Sequence, residues 1–331
     1  MRTGEVALPE ITAAFGLTIN EITRKDDTWL ISTTSGEVVF KEYQGDLPRL
    51  EKRLAWHNYL KDNRVIAVPE LLQTKDHEVL IESGELVYCG WYQPDGEPFS
   101  GHNEQHLVSA ITSLALLHAQ SVRYEEENKT YQEIEWQLPL QIQARLTDLL
   151  VFSHKMAEKR LADDFQKLFL ENFDFVYDQG QVAIQMMVLA NCLTTCAGKY
   201  IYLVDNFLPE KIIINQGQAI FVPSIPGNWG PKPLDLAAFL RNYLSLHNWD
   251  PDLAYRLIKL YEEQNPLQMT EKYLLLALIR YPARFWLYSC QYQRQERSVA
   301  ELTEKLTELI REIHLRDSCL DKLESLLSGG E

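Results

Sequence analysis

Residues 203–223 have the sequence LVDNFLPEKIIINQGQAIFVP, and the interpretation of the whole chain depends on this stretch. Two apolar arms, Ile212–Ile214 and Ala219–Val222, flank the four residues Asn215–Gln218, in which a glycine favours a tight turn. The pattern predicts a strand end, a short polar loop and then a β-hairpin. The polar loop and the residues that follow the second arm are therefore the first candidates for a functional site.

The composition is that of a globular protein with a sizeable core. The chain has 331 residues, of which 46% are hydrophobic and 24% are charged, so two lobes are expected. The formal net charge of −15 argues against general nucleic-acid binding, which needs a basic surface. It argues equally against docking on anionic lipid. The acidity is interpreted as a means of keeping the protein in solution.

The cysteines and the N-terminus give expectations about the compartment. Five cysteines include Cys192 and Cys196, one helical turn apart, but no second Cys or His pair stands at metal-site spacing. We therefore expect no metal site and a reducing compartment. The first residues contain no apolar signal segment, and no apolar run reaches membrane-spanning length. Synthesis in the cytoplasm, without membrane insertion, is the resulting expectation.

The chain divides into an α/β part, a hinge and a helical part. The N-terminal lobe is predicted to span residues 1–90, the hinge 91–102 and the C-terminal lobe 103–331. Strands are predicted at residues 17–24, 28–34, 37–43, 78–82 and 85–89, with one helix at 47–63. Later helices are predicted at residues 104–120, 138–152, 154–177, 181–197, 235–246, 251–265, 271–279, 283–295, 298–313 and 315–327, with a loop at 123–135.

Four short motifs resemble those of a known family. TTSGEVVFK at 33–41, LALLHAQS at 114–121 and DLAAFLR at 235–241 are similar to motifs of aminoglycoside phosphotransferases and choline kinases. YPARFW at 281–286, followed by Tyr292, resembles a stretch of the CotS-like spore-coat proteins of endospore-forming bacteria. The resemblance covers nearly the whole chain. It implies an α+β, two-lobed protein-kinase-like fold: a small N-terminal lobe with an antiparallel sheet and one helix, and a large, mostly helical C-terminal lobe with an inserted hairpin.

The same resemblance implies a residual nucleotide site. Lys41 occupies the position of the strand lysine that meets nucleotide phosphates, and Glu51 is the candidate for its helix partner. Alternatively, Lys41 is a solvent-facing lysine on an edge strand and Glu51 belongs to a solvated helix face. The loop over the phosphates corresponds to Arg24–Thr28, which has no glycine and two carboxylates. Such a loop would obstruct and repel phosphates.

The catalytic pattern of the family, H-G-D-x-x-x-x-N followed by I-D-F, is lost in residues 204–223. Val204 falls at the histidine, Asp205 at the glycine, Asn206 at the catalytic aspartate, Lys211 at the metal-binding asparagine and Pro223 at the metal-binding aspartate. These residues provide neither a base nor a ligand for Mg²⁺. If the loop were one residue longer, Asp205 could serve as the catalytic aspartate, but the metal ligands would still be missing. We therefore expect no catalytic and no metal-binding residue.

For the remaining candidate residues, a structural role is the preferred interpretation. His118 lies on the apolar face of a predicted helix and is expected to be a packed core histidine. Asp235 is expected to cap its helix and to brace the catalytic loop. Trp229 is expected either to pack against its own loop or to anchor a partner. The same choice between core and partner surface applies to an aromatic group made of Tyr281, Phe285, Trp286, Tyr288 and Tyr292.

The function favoured by the residues is that of an inactive, kinase-like binding or structural component. By resemblance, it would assemble with other proteins of the spore coat, being made in the mother-cell cytoplasm and deposited in the coat. One alternative is an active small-molecule or protein kinase with a non-standard site. A further alternative is a sensor that binds ATP without Mg²⁺, in which Lys211 neutralises phosphate charge. No cofactor is expected for the favoured function.

Overall fold

A computed structural model gives the structure of the chain. It describes residues 12–25, 28–65, 67–83, 86–128, 138–158, 162–190, 201–205, 207–222 and 227–328. Two compact units are formed, one by Met1–Asn128 with Val204–Asn228 and the other by Lys129–Leu203 with Trp229–Glu331. The lobe boundaries at residues 90 and 102 stay a prediction. Within these ranges, no helix combines the length and the apolar character needed to cross a membrane.

The first unit contains a five-stranded antiparallel sheet. In spatial order the strands are β1 (Ile19–Lys25), β2 (Thr28–Thr33), β3 (Gly36–Tyr43), β5 (Leu86–Tyr92) and β4 (Ile81–Ser83). Side chains alternate between the two faces, as a strand period of two requires. On β3, Val38 and Phe40 belong to one buried cluster, whereas Val39 belongs to another. The sheet is therefore covered on both faces.

Helix α1 (Leu47–Asp62) contributes to the second of these clusters. Its N-cap is Asp46, whose side chain accepts a hydrogen bond from the backbone N–H of Arg49. Leu50 and Leu54 are buried in the same cluster as Val39. An N-cap carboxylate and apolar residues at helical spacing explain why the helix forms here.

The predicted hairpin is present, and it belongs to the first unit. Strands β8 (Ile212–Asn215) and β9 (Gln218–Phe221) pair antiparallel, and β6 (Glu97–Pro98) pairs with β8. The turn has only two residues, Gln216 and Gly217, with φ of 48° and 78°. Two positive φ values are the signature of the type I′ turn that matches the twist of a hairpin.

Helices dominate the rest of the chain. The first unit also contains α2 (Glu104–Asn128). The second unit contains α3 (Leu138–Ala157), α4 (Asp164–Leu189), α5 (Pro233–Leu244), α6 (Pro251–Gln264), α7 (Met269–Arg280), α8 (Ala283–Gln293) and α9 (Val299–Ser328). It also contains a short strand pair, β7 (Ile201–Tyr202) with β10 (Trp229–Gly230). An antiparallel sheet followed by a mostly helical part confirms the predicted α+β class.

Several predicted helix ends are wrong. Helix α2 continues to Asn128 through part of the predicted loop, and α3 continues past residue 152. No proline or glycine interrupts either segment, so nothing in the backbone stops the helix. Likewise α9 continues past residue 314, because its buried positions recur at helical spacing up to Leu327. Residues 191–197 of one predicted helix lie outside the described residues.

Helix α4 also joins two predicted helices, at a glycine. The predicted break lay at residues 178–180, and the described helix runs through Gly180 without interruption. A Cβ at this position would lie 2.4 Å from Cδ2 of Leu146 on α3. The glycine therefore permits a close approach of the two helices rather than ending one of them.

The hairpin turn gives a test of the register. We expect Gly217→Ala to reduce the free energy of unfolding by about 1 kcal/mol, because alanine is strained at positive φ. Steric clash adds nothing, since a Cβ there meets no atom within 4 Å. Gln216→Asn is the matched control and should retain stability, since asparagine tolerates this conformation. Denaturant midpoints at constant m-value measure both effects; equal midpoints for Gly217→Ala and the wild type would contradict the turn assignment.

Candidate functional site

The candidate site is the segment that enters hairpin β8–β9. Val204 is buried, and residues Pro209–Lys211 form a single 3₁₀ turn that leads directly into β8. The fixed φ of proline suits the first position of such a turn. Asn206 and Pro223, the positions of the catalytic and metal-binding aspartates, lie outside the described residues.

Asp205 has a left-handed backbone conformation, with φ of 63°. Glycine adopts this conformation most readily, and aspartate is among the few other residues that tolerate it. The position is the one at which the family pattern has glycine, so the backbone supports the register in which Asp205 replaces glycine. Its carboxylate Oδ2 also accepts a 2.7 Å hydrogen bond from the backbone N–H of Asn228. The side chain therefore has a structural partner.

Arg49 extends this contact to helix α1. Its Nη2 donates to the carbonyl oxygen of Gly227 at 2.7 Å and to Oδ1 of Asn228. The first turn of α1, residues 227–228 and Asp205 are therefore linked by side-chain hydrogen bonds. This link was not predicted, because Arg49 and Asn228 are 179 residues apart and carry no shared motif. The sequence feature that pointed to an unusual backbone conformation here is the glycine that the family pattern has at the position of Asp205.

Lys211 occupies the metal-binding asparagine position at the end of the 3₁₀ turn. Its backbone N–H donates to Leu208 at 2.8 Å, and its carbonyl oxygen accepts from Val222 at 2.9 Å. These two hydrogen bonds fix the backbone of Lys211 at the start of hairpin β8–β9. The half-buried side chain carries an ammonium group, which donates hydrogen bonds and has no lone pair for a metal ion.

Lys41 lies on an interior strand. Strand β3 pairs with β2 and β5, and Lys41 stands between Thr28 and Cys89, so the alternative of an edge-strand lysine is wrong. The side chain is half-buried. Burial raises the pKa of the Cys89 thiol to about 12, although nearby Lys41 opposes the shift. The thiol is therefore protonated and unreactive at neutral pH.

Glu51 lies on the exposed face of α1. This exposure agrees with the alternative interpretation of a solvated helix face. The nucleotide-binding roles of Lys41 and Glu51 stay predictions.

The connection between β1 and β2 is short. The ladder pairs Lys25 with Thr28, which leaves two residues, Asp26 and Asp27, and these lie outside the described residues. The preceding Arg24 forms a 3.0 Å ion pair with Glu42 and lies over the ring of Trp29. A phosphate-binding loop offers several backbone N–H groups from small residues. A two-residue, diacidic connection does not match this requirement.

His118 and Asp235, the two residues for which a structural role is predicted, are both buried. His118 is fully buried in α2. Asp235 is 2% exposed, but it lies in the first turn of α5, and the N-cap position belongs to Lys232. The prediction that Asp235 caps its helix is therefore wrong. A buried carboxylate in the first turn still interacts favourably with the helix dipole.

The aromatic residues pack largely into the second unit. Trp229 is half-buried, with its ring 3.5 Å from that of Tyr202. Tyr281 and Phe285 are buried, while Tyr292 stacks on Phe165 and donates a 2.6 Å hydrogen bond to Asp163. Half-buried positions are held by Trp286, Tyr288 and Tyr292. These contacts agree with the core interpretation of the aromatic group, and a partner-anchoring role for Trp229 stays a prediction.

Metal-ligating residues do not cluster in the part of the chain that the structure describes. No group of three or more His, Cys, Asp or Glu side chains there could hold a metal ion. Cys89, Cys290 and Cys319 are free thiols. Cys192 and Cys196 lie outside the described residues.

One family model matches the sequence. Its description is "Spore coat putative kinase YutH", and it matches residues 9–197, which is more than half of the chain. The match confirms the predicted placement among spore coat kinase-like proteins. A comparison with curated proteins found no match.

Solved structures confirm the kinase-like fold. An aminoglycoside phosphotransferase from Alicyclobacillus acidocaldarius is 15% identical with a TM-score of 0.85, covering 96% of this chain and 95% of its own. Spectinomycin phosphotransferase APH(9)-Ia, in complex with ADP and spectinomycin, is 13% identical with a TM-score of 0.61, covering 95% and 98%. Choline kinase LicA from Streptococcus pneumoniae is 12% identical with a TM-score of 0.51, covering 96% and 100%. At these identities the likeness establishes the fold alone.

The structural role of Asp205 can be tested by substitution. We expect Asp205→Ala to lower the free energy of unfolding by about 1 to 2 kcal/mol, because it adds strain at positive φ and removes the acceptor for Asn228. Asp205→Asn is the matched control, since it keeps an acceptor oxygen and tolerates the left-handed conformation. Urea unfolding measures both variants. An alanine variant as stable as the wild type would show that the carboxylate has no structural role.

Proposed function

This chain belongs to the family described as "Spore coat putative kinase YutH", and from that premise we propose that it is a catalytically inactive, kinase-like binding component of the spore coat. The observation that supports inactivity is the replacement of the whole catalytic set. Val204, Asn206, Lys211 and Pro223 stand where a phosphotransferase of this fold has a histidine, a base and two metal ligands.

The charge at Lys211 supports the loss of magnesium chemistry. Two unit charges about 4 Å apart interact by about 4 kcal/mol near a protein surface, and a divalent ion doubles this value. An ammonium group in place of a metal-binding amide therefore repels Mg²⁺ in addition to failing to ligate it. Proline at residue 223 offers no side-chain oxygen, so no second ligand compensates.

The hydrogen bonding of Asp205 supports the same proposal. A one-residue slip would make Asp205 the catalytic aspartate, but its Oδ2 accepts the backbone N–H of Asn228. The left-handed conformation further favours the register in which this residue replaces glycine. With Asp205 in that register, the catalytic position belongs to Asn206, whose amide is no general base at neutral pH.

A second candidate is a sensor that binds ATP without Mg²⁺ and without turnover. Lys211 supports it, because a fixed cation can neutralise phosphate charge where a metal ion otherwise does. Lys41 also supports it, as a half-buried lysine on an interior strand. An active phosphotransferase with a non-standard site has only Lys41 and the outline of the fold in its favour.

The partners proposed for this chain are other coat proteins. The support is the family description, and the expected course is synthesis in the mother cell followed by deposition in the coat. A net charge of −15 favours partners with complementary basic surfaces.

Restoring the catalytic set separates the candidates. We expect the triple variant Asn206→Asp, Lys211→Asn, Pro223→Asp to acquire a thermal shift with ATP that depends on Mg²⁺, because it regains a base and two metal ligands. The wild type should show no shift with Mg²⁺·ATP. Melting temperatures with ATP, in Mg²⁺ and in EDTA, provide the measurement.

Two controls make the outcome specific. Lys41→Ala in the restored background should remove the shift if Lys41 meets the phosphates. A wild-type shift that requires Mg²⁺ would overturn the inactive assignment. A wild-type shift in EDTA, abolished by Lys211→Ala, would instead support the sensor.

Coat deposition is tested in the spore. We expect the protein to be extracted with the coat fraction of purified spores and to be produced only during sporulation. Immunoblots of coat and core fractions over time measure both properties. A non-coat cytoplasmic enzyme, blotted on the same membranes, controls for contamination. Recovery in the soluble core alone, or synthesis during vegetative growth, would contradict the coat assignment.

A further inference from the structure

Helix α3 (Leu138–Ala157) has a row of weakly polar residues on the side that faces away from the core. Its buried side contacts α4 and α8. The residues of the opposite side follow one another at intervals of four, three and four, and all are exposed: Leu140, Ala144, Thr147 and Val151. We call them the outer stripe. The solvent-facing side of a helix is normally polar, and these intervals are those of a contact between two helices.

The outer stripe is suited to being covered. Leu140 is 67% exposed and Val151 is 48% exposed, so apolar surface at both ends is in contact with solvent. The hydroxyl Oγ1 of Thr147 donates a 3.0 Å hydrogen bond to the backbone carbonyl of Gln143, one turn earlier in the same helix. Covering Thr147 would therefore leave no unpaired donor. Burial of the leucine and valine side chains would be favourable.

The charges of α3 do not oppose contact with an acidic protein. The helix has two basic residues, Arg145 and Lys155, and one acidic residue, Asp148, whereas the whole chain has a formal net charge of −15. The guanidinium group of Arg145 lies over the ring of Trp286 on α8, and Oδ2 of Asp148 accepts a 3.3 Å hydrogen bond from Nε1 of the same tryptophan. Like-charge repulsion is therefore weak on this surface.

The outer stripe is complementary to itself. Side-chain size along it runs large, small, small, large, and the intervals of four, three and four are the same in both directions. A two-fold axis between residues 145 and 146 would place Leu140 against Val151 of a second copy and Ala144 against Thr147. Small residues at the centre permit a close approach of the helices, while the larger residues fill the space on either side. A two-fold interface requires such self-complementarity, since the same surface is used twice.

The polar residues beside the stripe fit the same axis. Gln143 and Asp148 are both exposed, and the axis places each opposite the other residue of the second copy. The side-chain amide of glutamine donates hydrogen bonds, and the carboxylate of aspartate accepts them. Oδ1 of Asp148 receives no donor from the described residues, because the bond from Trp286 ends on Oδ2. An antiparallel pair of α3 helices would therefore gain two further hydrogen bonds.

We propose that the outer stripe of α3 is an interface between two copies of this chain, which pack antiparallel about a two-fold axis between residues 145 and 146. The symmetry of the stripe favours a second copy, because a contact with a different protein would not require it. One helix face is small beside the standard interface of about 800 Å² per partner, so the dimer should dissociate on dilution. This proposal does not rest on the inactivity of the chain.

The test is sedimentation equilibrium of the full-length protein over a range of concentrations. We expect Leu140→Lys and Val151→Glu each to weaken dimerisation at least about hundredfold, because the symmetry brings the unpaired charge into the interface twice. An equimolar mixture of the two variants should dimerise again. In the mixed dimer the new lysine faces the new glutamate, and the native contact between Leu140 and Val151 forms at the other end.

Leu315→Lys is the matched control, since it adds the same charge at a leucine of α9 that is 47% exposed, and it should leave dimerisation unchanged. Circular dichroism verifies the fold of each variant. Ala144→Arg, which blocks the close approach at the centre, provides the test if another variant does not fold. A wild type that is monomeric at about 100 µM would overturn the proposal. Dimers that persist in the single variants, or monomeric variants that fail to associate when mixed, would overturn it as well.

Discussion

Hairpin β8–β9 is joined to the first unit by hydrogen bonds that fix its position independently of any chemistry. The backbone N–H of Phe221 donates to the carbonyl of Ala67, and that of Ala219 donates to Oγ of Ser113 on α2. Val222 then enters the buried cluster that contains Leu50 of α1. A segment from the middle of the chain is thereby built into the core of the first unit, and losing it would leave buried donors and apolar surface without partners. The need to keep this packing explains why the hairpin is retained whatever residues occupy the catalytic positions of the family pattern.

In the loop before the hairpin, the contacts that hold the backbone do not involve the catalytic residues of the family pattern. Asp205 has a left-handed conformation, which glycine adopts most readily, at the position where the family pattern has glycine. Its carboxylate accepts a hydrogen bond from the N–H of Asn228. Arg49 satisfies the carbonyl of Gly227 on the same segment. These contacts need backbone shape and hydrogen-bond partners but no base and no metal ion. The conformation of this loop can therefore be maintained independently of phosphoryl transfer, which is why fold alone does not assign activity.

The sequence predicted elements better than it predicted their ends and contacts. Strands β1 to β3 lie within two residues of their predicted positions. Buried apolar residues such as Trp29, Ile31 and Phe40 made these strands recognisable, because they occur in short segments with the residue spacing expected of strands. Helix ends were missed where a polar residue or Gly180 suggested a break, since burial against neighbouring helices decides such cases. The departure from the catalytic pattern of the family was visible from residue identity at Asn206, Lys211 and Pro223. The Arg49–Asn228 contact was not, because it brings together segments that are distant in sequence.

The loop at residues 204–211 and the buried imidazole of His57 both depart from local rules, and they differ in how the departure is compensated. At residues 204–211 the sequence departs from the catalytic pattern of the family, yet Asp205 is paired and Lys211 keeps the backbone bonds of its turn. At His57 no family motif is lost, yet two buried nitrogens lack partners among the described residues. Other buried polar atoms of the described residues, among them Tyr88 Oη and Trp91 Nε1, lack hydrogen-bond partners as well. An unpaired buried group is therefore a cost that this core carries in several places, and it does not by itself mark a ligand site.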